Sequence, residues 1–64
     1  MRHTELWARM EAALGPAYAR HWASQTAIRE LGGRTPIEAL DAGATPKEVW
    51  LAVWQALELP LGDR

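Results

Sequence analysis

Cysteine is absent from this chain, and with it go disulfides, thiolate nucleophiles and thiolate zinc sites. Long apolar runs are missing too. None approaches the about 18 residues that a membrane span requires, and no hydrophobic stretch follows Met1-Arg2-His3 as a secretion signal would demand. The expectation is a cytoplasmic protein with no membrane partner. Nor is there an excess of charge of one sign, since seven Lys and Arg stand against eight Asp and Glu for a net charge of −1. Such a balance gives no electrostatic reason to expect a polyanionic partner. The asymmetry along the chain is mild: residues 1–34 hold five Arg and three Glu, while residues 35–64 hold Lys47 and Arg64 against five acids.

Chain length limits the core. Sixty-four residues make one domain, and a chain of that size buries only ~60% of the surface its unfolded form exposes. Twelve of the apolar residues are alanine, which contribute little burial. The substantial core material is eight Leu, two Val, two Ile, two Met, one Tyr and four Trp. Tryptophan is therefore the main source of buried area in a core this small.

What is present is helical patterning. Thr4 can cap a first helix running to about Leu14, and Leu6, Trp7, Met10, Ala13 and Leu14 fall within roughly 120° of arc. Gly15 ends that helix and Pro16 suits the first position of the next. A second helix is expected from Pro16 to about Leu31. It carries one stripe of Tyr18, Trp22, Gln25 and Arg29 and another of Ala17, His21, Ser24, Ile28 and Leu31, as a helix between two neighbours would. Gly32-Gly33 stops it. Thr35-Pro36-Ile37-Glu38 and Thr45-Pro46-Lys47-Glu48 then repeat one helix-start signal: Thr as cap, Pro at the first helical position, Glu at the third. They predict a short helix from Pro36 to about Asp41, closed by Gly43, and a longer one from Pro46 to about Glu58, ended by Pro60. No window alternates with period two. The fold class is all-α, a small bundle of three main helices plus one short helix with a helix-turn-helix-like corner, in a single domain spanning residues 1–64.

Catalytic chemistry finds little to work with. His3 and His21 are the only imidazoles and do not have a ligand spacing. His21 shares a stripe with Ile28 and Leu31, where a half-buried structural histidine is expected. Ser24 lies near it without a nucleophile elbow or an orienting acid. Glu38 and Glu48 have capping roles, and Gly32-Gly33-Arg34-Thr35 lacks the further Gly and the Lys of a phosphate loop. The sequence predicts no enzyme, no cofactor and no metal site.

Two binding readings remain. Ala39, Gly43 and Val49 have the spacing of a helix-turn-helix corner: a small residue at the crossing, Gly in the turn, an apolar anchor in the second helix. The outward face of that second helix would offer Thr45, Lys47, Glu48, Leu51 and Trp54, one base among acids and hydrophobes, whereas phosphate contacts need Arg or Lys. A nucleic-acid role would therefore draw on Arg9, Arg20, Arg29, Arg34 and Lys47, with Arg20 and Arg29 on opposite sides of their helix. The second reading is a protein interface. Val49, Trp50, Val53, Ala56 and Leu57 form an inward face of the last helix, and Leu51 and Trp54 lie about 200° and about 140° from Val49. Positions Lys47, Leu51, Trp54 and Glu58 follow a 4-3-4 spacing and make a second, narrower seam. An apolar pair ringed by charges is the composition of a protein-binding hot spot; alternatively, helix one or the Leu59–Leu61 tail covers it. The favoured expectation is a partner protein or a second copy on this seam. A third reading is that the chain assembles only as a symmetric oligomer, as a core this small would require if it could not hold alone.

The run Leu31-Gly32-Gly33-Arg34-Thr35, followed by Glu38-Ala39-Leu40, Gly43 and Pro46-Lys47-Glu48-Val49-Trp50, resembles a family of very short actinobacterial proteins of unknown function. The opening Met1-Arg2, Thr4-Glu5, Trp7, Arg9-Met10 and Gly15-Pro16-Ala17-Tyr18-Ala19 is similar as well, so the resemblance covers nearly the whole chain. It implies no catalytic residues and no cofactor. Genes of that family often lie near those of the recombinase RecA and its regulator RecX, which implies a DNA-repair neighbourhood. Relatives often carry Arg where this chain has Leu51, and a small residue or Cys where it has Trp54. The departure makes the apolar seam more pronounced and a nucleic-acid role for the last helix weaker.

Overall fold

Four α-helices form where the apolar spacing and the Thr-Pro starts place them, and the computed structural model describes them within residues 1–63. They are α1 (His3–Leu14), α2 (Pro16–Gln25), α3 (Pro36–Asp41) and α4 (Pro46–Ala56), with 3₁₀ turns at Arg29–Leu31 and Leu61–Asp63. The protein is all-α, with three longer helices and one short one. α1 packs against α2 and α4, α3 packs against the same two helices, and the first 3₁₀ turn packs against α4.

One cluster holds these elements together. Leu6 and Met10 from α1, Ala19, Trp22 and Ala23 from α2, Ile28, Ala39 from α3, and Val49, Trp50, Ala52 and Val53 from α4 are buried. Trp7 and Trp54 pack against that cluster from its edge, so all four tryptophans belong to a single core. Large rings supply what twelve alanines cannot, because each removes far more apolar surface from water.

Two local expectations fail for identifiable reasons. Helix α1 begins one residue before Thr4: Arg2 is the N-cap, extended at φ −92° and ψ 162°, with no side-chain cap bond. Thr4 thus has helical geometry and is exposed, and the Glu5 carboxylate supplies the favourable charge in the first turn. Helix α2 stops at Gln25, not Leu31. Thr26 is extended at φ −99° and ψ 110°, and Ile28 at φ −114° and ψ 127°, as β-branched residues prefer. The Ser24 hydroxyl donates to the His21 carbonyl at 2.9 Å, a local bond that competes with helix continuation. The chain then closes a loop in which Ile28 N donates to Arg34 O at 3.0 Å and Gly33 N to Ile28 O at 3.0 Å. Leaving the helix lets Ile28 reach the core at 2% exposure.

The inward face of α2 is consequently a third one, Ala19, Trp22 and Ala23. Tyr18 stands 52% exposed with its ring 6.0 Å from that of His21, and His21 is exposed, not half-buried. In α4 the inward face keeps Val49, Trp50 and Val53 and exchanges one member: Ala52 is buried, whereas Ala56, expected inward, is exposed.

Candidate protein-interaction seam

The seam is built on α4, whose start and finish are both fixed by local chemistry. Thr45 Oγ1 accepts from Glu48 N at 3.2 Å, and Pro46 occupies the first turn, where its missing N–H costs nothing. The finish is a Schellman motif. Glu58 N donates to Gln55 O at 3.2 Å, and Leu59 N to Trp54 O at 3.1 Å. This motif puts Glu58 at φ 53°, the only positive φ outside glycine among the described residues. The reversal carries Leu59 back onto the core, and Trp54 Nε1 donates to Pro60 O at 2.8 Å.

Each seam residue has a definite place in this frame. Lys47 and Glu58 are exposed at the two ends. Leu51 and Trp54 are half-buried between them. Trp54 packs against the core and is held by the segment that follows the helix, so that segment covers part of the seam. Leu51 differs: among the described residues it is half-buried without belonging to the side chains that pack on the core cluster. Leu61, just past the Pro60 carbonyl that Trp54 holds, is 76% exposed. Leu51 and Trp54 thus remain partly in contact with water between an exposed cation and an exposed anion, and Leu61 is exposed in the segment that Trp54 holds.

The arginines occupy three separate places. The Arg9 guanidinium lies over the Trp50 ring at 5.8 Å from its centroid, joining α1 to α4. That of Arg20 lies over the Trp7 ring at 4.4 Å, joining α2 to α1. Both are cation–π contacts, and a wheel drawn for one helix cannot reveal them because each pairs two elements. Arg29 and Arg34 are exposed in the loop after α2. Lys47 lies away from all of these in sequence, at the start of α4.

An open-sided cleft of about 280 Å³, unexpected from the sequence, is lined by Arg9, Ala12, Ala13, Trp50, Leu59 and Gly62. It exists because α1 presents alanines, small side chains, where the segment after α4 returns. The only advance signal was the Ala12-Ala13 pair beside Arg9. Among the described residues no cluster of three His, Asp or Glu side chains has the proximity to hold a metal ion, and no helix is long and apolar enough to cross a membrane. No buried side-chain polar atom among them lacks a hydrogen-bond partner.

A small all-α domain with an apolar seam on its last helix is the class that these features define. The chain belongs to a family described as a protein of unknown function (DUF3046), whose model matches residues 1–62. No curated protein matches the chain, and no solved structure matches it.

Proposed function

We propose that this chain is a non-enzymatic protein-interaction module that binds through the outer seam of α4, with Leu51 and Trp54 as apolar anchors and Lys47 and Glu58 as its charged rim. One observation carries the reading. Leu51 is an apolar side chain on the most apolar helix, yet it stands apart from the core cluster, and it is flanked by exposed charges. Burying such a side chain against a partner gains apolar area that the fold itself leaves in water. The test is affinity capture by the tagged protein after nuclease treatment, comparing wild type with Leu51→Asp. A discrete protein, whether foreign or a second copy, that is captured by wild type and lost by a Leu51→Asp variant of unchanged helicity supports the reading. Capture that Leu51→Asp does not alter contradicts it.

A second reading rests on the exposed Arg29 and Arg34, which flank one loop closed by the Ile28–Arg34 pairing. On it the chain is a nucleic-acid accessory module in a DNA-repair setting, using the corner between α3 and α4 together with these arginines. The resemblance to actinobacterial proteins encoded near RecA and RecX points the same way. Binding to a DNA duplex that falls steeply with salt and is lost in Arg29→Ala/Arg34→Ala favours this reading. The absence of binding at low salt ends it.

A further inference from the structure

We propose that the occupant of the α4 seam is a second copy of this chain, docked antiparallel across a two-fold axis. This rests on the interaction reading above and narrows it to one partner. The argument begins with the register of the seam. Leu51 and Trp54 centre on the point between residues 52 and 53 of α4, Lys47 stands exposed in its first turn, and Glu58 stands exposed just past its last residue, at the left-handed turn. A two-fold axis through that point brings Lys47 of each copy to Glu58 of the other and Leu51 to Trp54. An isologous interface requires this kind of self-complementarity, in which a residue and its counterpart exchange roles between copies. The charges at the two ends have opposite signs and both residues are exposed, so the antiparallel arrangement is attractive at both ends. A parallel one would set like against like.

Glu58 supplies an independent argument. It occupies the left-handed position of the Schellman motif at φ 53°, where glycine serves the backbone better. Glycines hold the corresponding role elsewhere in this chain, as Gly43 does after α3 at φ 102°. The chain thus carries a carboxylate where glycine would serve the backbone, and a pairing with Lys47 of the second copy gives that carboxylate a use. Leu61, 76% exposed beside the Trp54–Pro60 bond, adds apolar surface next to Trp54. Two half-buried apolar side chains and one exposed leucine offer a small anchor, where a standard interface buries about 800 Å² per partner, so the proposed dimer is a weak one.

The experiment is sedimentation equilibrium at low salt, over about 10 µM to about 1 mM protein. It compares wild type, Lys47→Glu, Glu58→Lys and the double variant that carries both, each checked for unchanged helicity by circular dichroism. Because the axis counts every contact twice, each single change creates two like-charge pairs and weakens association by about tenfold or more. The double variant restores both pairs and returns to within about threefold of wild type. Weakening in the single variants with recovery in the double supports the proposal. A wild type that stays monomeric at every concentration overturns it, as does a double variant that fails to recover. Capture of a different protein that Leu51→Asp abolishes would, beside a monomeric wild type, leave the broader interaction reading standing while self-pairing falls.

Discussion

Helices α3 and α4 begin with the same four-residue logic and end with the same motif, yet only one of them does both in the way that suits the fold best. At α3 the capping box is complete: Thr35 Oγ1 accepts from Glu38 N at 3.1 Å, and Glu38 Oε1 accepts from Thr35 N at 2.9 Å. Thr35 and Pro36 are buried. At α4 the Thr45 bond to Glu48 N forms at an exposed threonine, and Glu48 does not close the box. The ends diverge further. After α3, Gly43 N donates to Leu40 O and Ala44 N to Ala39 O, with glycine in the left-handed position. After α4 the same pair of bonds forms around Glu58. A helix of six residues needs both caps to exist at all, since it holds few internal bonds. An eleven-residue helix with four buried side chains is held by packing, which leaves its termini able to tolerate a residue that serves another purpose.

Core substitutions should separate the two helices most widely. Trp50→Ala removes a side chain only 2% exposed and should cost about 3–5 kcal/mol, enough to leave a domain this small largely unfolded in thermal or urea melts. Ile37→Ala on α3 removes a half-buried side chain and should cost about 1–2 kcal/mol. The caps come next. Thr35→Ala should cost about 1–2 kcal/mol and Thr45→Ala about 0.5–1 kcal/mol, so a reversed order in paired melts would break the comparison. Gly43→Ala meets no atom within 4 Å but must hold φ at 102°. It should destabilise by about 1 kcal/mol through backbone strain alone, without a change in the urea slope. The seam belongs at the low end for its burial: Leu51→Asp, at a half-buried side chain that does not pack on the core cluster, should cost about 1 kcal/mol while removing association.

The helix starts at Pro36 and Pro46 were legible because a cap is a local affair, written in four consecutive residues. The buried pairs of α1 and most of the inward face of α4 were legible from periodicity. Residues 26–34 were not. Periodicity carries a helix forward until something breaks it, and here the break comes from Thr26 and Ile28 turning extended and from a bond that closes back from Arg34, nine residues after Gln25, onto Ile28. A wheel puts Leu51 outside the inward face of α4, and in the fold it is half-buried without packing on the core cluster. Trp54 is different, because its indole bond to Pro60 depends on the chain reversing at Glu58, and a glutamate at a left-handed position leaves no mark in the sequence. The stacking of Arg9 and Arg20 on Trp50 and Trp7 depends on which helices meet, something no single segment encodes.

Glu58 is where stability and association pull apart, so Glu58→Gly tests the account most directly. Thermal melting and sedimentation should be measured on the same preparation. Glycine relieves the left-handed strain and removes the carboxylate that, in the proposed pairing, faces Lys47 of the second copy. The account predicts a fold more stable by up to about 1 kcal/mol and self-association weakened by about tenfold. A more stable variant that associates as wild type does would contradict it, showing that the glutamate contributes nothing to the surface it ends.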